Sequence, residues 1–279
     1  MRSRLIRSVV AGCLLAAALV SCASKSADQP DDAAGRAGTI HIGLEGPLSG
    51  DQRATGRGML RGAQLAAAEL NRAGGVLGKR VVVVPIDDAA DPARGVAAAK
   101  RAIASGLDAV VGPYNSGVGL RTLPLYIEAG LVPLRLTSSD DTAGLGFTLQ
   151  PMTSQIAPVA TKALSGWLKA ESVAIIFDST QEYTKAAATS MERLLREAGI
   201  TVTTSAPITP GESSYASVVQ RVAATTPDVI YVDAYYPEAG RIAQQMFASK
   251  VPAKCLADYG AYDNEFINVA GVAAAQACP

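Results

Sequence analysis

Glycine, carboxylate and hydroxyl groupings recur along this chain, and each one can be tested for the chemistry it would support. Gly56-Arg57-Gly58-Met59-Leu60-Arg61-Gly62 is glycine-rich, but its spacing is G-x-G-x-x-x-G rather than that of a dinucleotide loop. A helix start with close packing explains it better. Gly211-Glu212-Ser213-Ser214-Tyr215 fails the nucleophile-elbow pattern at its last position. Neither a phosphate-binding G-x-x-x-x-G-K-[ST] run nor an H-E-x-x-H zinc motif occurs in the sequence. The single histidine, His41, sits in a strand pattern and cannot supply a mechanism or metal site that needs two imidazoles. Asp87-Asp88 and Asp140-Asp141 fall in loops, where capping of backbone N–H groups accounts for them. Without a nucleophile–base pair, no enzyme and no cofactor or metal are expected.

The 279 residues are 49% apolar and 18% charged, enough to bury a core in one large or two ordinary domains. Lysine plus arginine equals aspartate plus glutamate at 25 each, so there is no basic excess for nucleic acid. Arg2, Arg4 and Arg7 precede an apolar run of 12 residues, Val9 to Val20, too short for a bilayer span and typical of a secretory leader. Leu19-Val20-Ser21-Cys22 resembles a bacterial lipobox, with cleavage before Cys22 and lipid attached to its sulfur. Residues 1–21 then read as a lipoprotein signal peptide and residues 22–38 as a flexible tether. Loss of 1–21 removes three arginines and no acid, leaving a net charge of −3. The protein is expected on the extracytoplasmic face of the cell membrane, held by its lipid. Cys255 and Cys278 remain in an oxidising compartment; a disulfide and two free thiols are both open from sequence.

From Thr39 onward, β-rich runs alternate with helical patterns. The strands expected are Ile40 to Leu44, Val81 to Ile86, Ala109 to Val111 and Val132 to Leu136. A helix over Gly56 to Ala73 carries Met59, Ala63, Ala67 and Leu70 on one stripe, and Asp91-Pro92 caps the next. A second set follows: strands at 173–177, 201–204, 229–232 and 255–257, with helices at 183–198, 214–224 and 238–249. Such alternation demands parallel sheets covered by helices. The break near Gln150-Pro151-Met152 predicts an N-terminal α/β lobe at 39–150 and a C-terminal α/β lobe at 151–279. Ligands in these sheets bind beyond the carboxyl ends of the strands.

Several markers stand in order along these elements: Gly46-Pro47-Leu48-Ser49-Gly50, Asn71-Arg72-Ala73-Gly74-Gly75-Val76, Asp87-Asp88-Ala89-Ala90-Asp91-Pro92, Val111-Gly112-Pro113 and Tyr235-Tyr236-Pro237-Glu238. Together they resemble the type I periplasmic binding proteins of the branched-chain amino-acid class, from Thr39 to the last residues. The resemblance implies two Rossmann-like lobes, a small ligand such as a branched-chain amino acid or similar carboxylate between them, and delivery to an ABC importer's permease. A sensing role, with the closed form shown to a receptor, is the alternative. By position, the resemblance puts Ser116, Thr137 and Ser139 on the ligand carboxylate and Tyr183 and Tyr235 on the other wall. A helix N-terminus favours an anion there, and hydroxyls add donors.

Three departures from the family pattern stand out. Where amino-acid binders often place a carboxylate for the ligand ammonium, this chain has Tyr259; Asp258 beside it can take that place only by rotating in, since neighbouring side chains usually point apart. Thr55 stands where a cleft aromatic is usual. Arg135 ends the fourth strand and is expected either to pair a second ligand carboxylate or to cover the surface. Family members also usually continue past the equivalent of Pro279 and cross back, so the resemblance implies a fragment or a shortened protein with the first lobe's final βα units missing.

Overall fold

The computed structural model describes residues 38–279. The segment expected to be a leader, Cys22, and the expected tether except Gly38 lie outside the described residues. The chain folds as β1 (Thr39–Gly46), α1 (Arg53–Arg72), β2 (Arg80–Asp87), α2 (Pro92–Ala104), β3 (Ala109–Val111), α3 (Ser116–Glu128), β4 (Pro133–Arg135) and β5 (Phe147–Thr148). It continues with α4 (Thr153–Lys162), which runs into a π-helical turn at Ala163–Trp167, and then β6 (Ser172–Asp178), α5 (Glu182–Glu197), β7 (Thr201–Ile208), α6 (Ala216–Ala223), β8 (Val229–Asp233), α7 (Tyr236–Ala248), β9 (Lys254–Ala257), α8 (Asn264–Ala270) and α9 (Val272–Ala277).

Two parallel sheets result, ordered β2-β1-β3-β4-β5 and β7-β6-β8-β9. Right-handed crossovers in the first order put α1 on one face and α2 with α3 on the other. The second sheet repeats this. Ala157, Ala188, Met191 and Leu195 of α4 and α5 pack one face, and Val218, Val222, Ile242 and Met246 of α6 and α7 pack the other. Both faces being covered, β8 is buried along its whole length. Asp91 caps α2 as its sequence predicts, accepting from the N–H groups of Ala93 and Arg94 at 2.7 and 2.9 Å.

The structure departs from the sequence pattern in a few places. The α1 stripe is shallower than its periodicity implies: Ala67 is buried, but Leu70 is 43% exposed. Leu65, Val132, Phe147 and Leu149 are exposed too. Periodicity finds no sign of α3, whose Pro124 and three glycine or serine residues among its first four blur the pattern, and β5 is only two residues long. Cys255 in β9 and Cys278 beyond α9 form a disulfide, and Pro279 accepts from the N–H of Ala257 at 2.9 Å, so the last turn is tied to the edge strand. Among the described residues, no helix is long and apolar enough to cross a membrane.

Candidate ligand cleft between the two sheets

Each sheet changes direction once, between β1 and β3 and between β6 and β8. Such switch points open a crevice at the strands' carboxyl ends. The two crevices face each other. Tyr114, Ser116, Leu136, Ser138 and Gln150 from the first lobe meet Tyr183, Tyr235, Tyr259 and Gly260 from the second around one cavity of about 20 Å³. That is room for about one water. The lobes are therefore drawn together. Tyr236 donates its hydroxyl to the carbonyl of Asp51 at 2.7 Å, Thr55 donates to Asp263 Oδ2 at 2.5 Å, and Tyr259 donates to Gln150 Oε1.

The first-lobe wall is rich in donors. Asn115 starts α3 but does not cap it, because its amide donates to Gln52 Oε1 at 2.9 Å. The first-turn N–H groups of α3 thus keep their positive partial charge free. Ser116, the first residue of that turn, accepts from the N–H groups of Ser139 and Ser138 at 3.1 and 3.3 Å. With its lone pairs engaged, its own proton is left to donate into the cavity.

The second-lobe wall is aromatic above and acidic beneath. Tyr235 lies 5.8 Å from Tyr114 and 6.2 Å from Tyr183, ring centre to ring centre and tilted in both cases. Burial raises the pKa of both Tyr183 and Tyr235, so each stays a neutral phenol. Beneath them Asp258 accepts from Tyr183 at 2.7 Å, from Tyr231, and from the N–H of Gly260 at 2.9 Å.

The cavity gathers Ser116, Tyr183, Tyr235 and Tyr259 of the residues picked from sequence, and leaves out Thr137 and Ser139. Alternation along an extended chain explains the omission. Arg135 turns inward, and Thr137, two residues on, turns the same way to meet Arg135 Nη1 at 3.0 Å and Thr142 Oγ1 at 2.8 Å. Ser139 accepts from the N–H of Asp141 at 3.3 Å and caps a short turn. The intervening Leu136 and Ser138 face the cleft instead. Sequence reasoning missed Ser138 although the same alternation would have found it, and it missed Tyr114, two residues before Ser116.

Two other expectations are corrected. Asp258 does not point away from the site: it is buried under the cleft tyrosines, while Tyr259 is 38% exposed at the rim. Arg135 does not cover the surface: it is 3% exposed and holds the Thr137 carbonyl at 2.9 Å and the hydroxyls of Thr137 and Thr142 at 3.0 Å. Burial lowers its pKa.

A periplasmic binding protein family profile matches residues 39–277. The chain belongs to that family. The Leu/Ile/Val-binding protein BraC3 of Rhizobium johnstonii is 34% identical over 232 residues, covering 81% of this chain and 63% of that protein. A Leu/Ile/Val-binding protein homologue of Brucella abortus is 30% identical, covering 84% of this chain and 64% of its own length. The chain thus spans a little under two thirds of these curated relatives. The branched-chain amino-acid transporter substrate-binding protein LivJ from Streptococcus pneumoniae, solved with isoleucine, superposes with a TM-score of 0.77 at 26% identity over 85% of this chain and 68% of its own. A solute-binding protein from R. palustris, solved with 4-hydroxybenzoate, shares the fold with a TM-score of 0.73 at 18% identity, covering 84% of this chain and 66% of its own. The relatives of this periplasmic binding protein are binders of small solutes, not enzymes.

Proposed function

We propose that this chain is the extracytoplasmic substrate-binding component of an ABC importer, held to the membrane by a lipid on Cys22, and that it captures an amino acid of the branched-chain type or a similar small carboxylate in the interlobe cleft. The observation that carries this is the uncapped N-terminus of α3, with the Ser116 hydroxyl poised beside it. A carboxylate seated there gains charge-assisted hydrogen bonds from first-turn N–H groups and the serine, without a competing cation. Tyr114, Tyr183 and Tyr235 then supply apolar faces for the rest of the molecule. Relatives that bind Leu/Ile/Val or isoleucine support the choice of amino acid; the 4-hydroxybenzoate complex of a more distant neighbour supports the wider carboxylate class.

The cavity of about 20 Å³ is far below the roughly 300–1,000 Å³ of ordinary ligand sites. Capture therefore requires the lobes to part and close again around the solute. A ligand shifts that equilibrium by its differential affinity for the closed form. Isothermal titration of the chain against the standard amino acids and a set of small organic acids, 4-hydroxybenzoate included, tests the reading. Saturable binding of at least one carboxylate is expected; binding to none refutes it.

A further inference from the structure

The outer face of α4 and of the π-helical turn after it plays no part in the cleft. Residues 151–170 carry two charges, Lys162 and Lys169, and no acid. The inner side of this stretch belongs to the core: Ala157, Leu164 and Ala170 are buried against α5 and the second sheet, with Ala160 and Leu168 partly buried beside them. A surface helix normally turns a polar face outward. Here Pro158 is exposed, Val159 is 67% exposed, and Trp167, the only tryptophan of the chain, is 82% exposed. A Cβ added to Gly166 would meet nothing within 4 Å, so the surface beside the indole is open as well.

The turn holds that indole outward. It is closed by the N–H of Leu168 on the carbonyl of Ala163 and the N–H of Ala170 on that of Leu164, both at 3.0 Å. Leu164 and Leu168 face the core, which leaves Trp167 to solvent. Turns of this kind are rare and gather at functional positions. Around the indole the rim is basic. Lys162 and Lys169 are exposed, and Lys254, the first residue of β9, reaches the turn with Nζ donating to the Leu168 carbonyl at 3.1 Å. The ion pairs among the described residues use none of these three lysines. Of the neighbouring acids, Asp228 is occupied by the N–H groups of Glu171 and Ser172 and the Ser172 hydroxyl at 2.9, 2.8 and 2.9 Å. Glu192 and Glu197 on α5 are paired with Arg196 and Arg193. Glu171 is exposed beside the turn and offsets one positive charge.

Protein interfaces are depleted in lysine and seat their aromatic anchors in pockets. A bilayer surface favours the combination found here: tryptophan enters the headgroup layer, lysines meet anionic lipid, and no groove is needed. We propose that this corner is a membrane-contact surface, with Trp167 seated in the headgroup layer of an anionic bilayer and Lys162, Lys169 and Lys254 against its phosphates. Ser172 and Lys254 open β6 and β9, so the corner lies at the amino ends of the strands, opposite the cleft. Contact there leaves the solute's entry free, and the assignment goes beyond the cleft reading without resting on it.

The single tryptophan makes the test direct. The full chain is mixed with vesicles of phosphatidylcholine, or of phosphatidylcholine with phosphatidylglycerol, each with and without acyl chains brominated near the headgroup. Trp167 emission is read alongside co-sedimentation. On the anionic vesicles a blue shift and quenching by the brominated chains are expected. Both are expected to be lost on phosphatidylcholine alone, at high salt, and in the K162A/K169A double variant, whose substitutions fall on exposed positions outside the core. Unchanged emission on anionic vesicles overturns the proposal, whether or not the chain co-sediments through its N-terminal segment. Quenching that survives on phosphatidylcholine alone or in the double variant overturns it too, since the lysines would then select nothing. A blue shift that grows with protein concentration in the absence of vesicles gives the corner to a second copy of the chain and likewise overturns it. Solute titration reads the cleft separately from all of these outcomes.

Discussion

Asp88 offers a sharp test of how this fold carries buried charge. It directly follows β2 with 0% exposure, and its Oδ1 accepts from the N–H of Ala90 at 2.8 Å while its Oδ2 has no partner. Beside it stands Glu45, equally buried, with Oε2 accepting from the Thr122 hydroxyl at 3.0 Å and Oε1 free. Burial pushes the Asp88 carboxyl up to about 7, helped by Asp87 and Asp91 and opposed by the Ala90 N–H and Arg94. The sign follows from linkage. The unfolded chain releases this proton near 3.8 and the folded one near 7, so the contribution is full below about pH 4 and is lost as pH rises to 7. At 1.36 kcal/mol per decade, the loss is on the order of 4 kcal/mol. Asp88→Asn keeps the acceptor for Ala90, cannot ionise, and offers an amide donor to Glu45. Urea unfolding at about pH 4 and about pH 8 is the assay. The variant is expected to match the parent at the lower pH and exceed it by up to about 4 kcal/mol at the higher one. Asp178 and Glu238 also tilt the parent's profile and cancel in the difference, which reports Asp88 together with its coupling to Glu45. Parallel profiles would refute the assignment.

Ser116→Ala removes the hydroxyl that bridges Ser138 and Ser139 and faces the cleft; carboxylate affinity is expected to fall by about 1–3 kcal/mol in titration calorimetry, and unchanged affinity places the anion elsewhere. Reducing Cys255–Cys278 frees a loop with a sequence separation of 23, and chain entropy makes that worth about 3 kcal/mol; a thermal melt that ignores reductant contradicts this. Gly112→Ala puts a Cβ 2.1 Å from the Glu45 carbonyl at φ +98°, and a loss of more than about 2 kcal/mol in urea unfolding is expected, whereas a neutral result would mean that β1 and β3 can part locally. Thr55→Ala with Tyr236→Phe deletes two hydrogen bonds between the lobes, and small-angle scattering of the free chain is expected to show a larger radius of gyration; an unchanged one would put the closing force in other contacts.

Much of the architecture is legible because parallel strands covered on both faces leave long apolar runs. Val173 to Phe177 and Val229 to Val232 are read to within a residue at each end. What stays hidden has identifiable causes. Helix α3, which positions Ser116, starts Ser-Gly-Val-Gly and holds Pro124, so local propensity argues against it, and burial of Val118, Leu123 and Tyr126 overrides that. Loop residues give no periodicity, so the choice among Thr137, Ser138 and Ser139 turns on which way Arg135 points, and only packing against Thr142 and Met152 decides that. Asp233 at the end of β8 reads as one more residue of a strand end; its burial without a hydrogen-bond partner comes from β6 and β9 lying on either side, which no single stretch of sequence displays.

The two walls of the cleft are unlike: the first lobe offers a bare helix start and a hydroxyl, and the second offers tyrosines over a buried aspartate. On the proposed reading, a solute seated on the first wall gains the contacts of the second only when the lobes close, and only that differential gain can shift them toward the closed form. The hydrogen bonds from Tyr236 to the Asp51 carbonyl and from Thr55 to Asp263 already hold the two walls together without a solute, so a ligand must offset their opening before closure around it stabilises anything. Deleting those bonds should therefore open the free chain while leaving the contacts of either wall with a bound carboxylate intact.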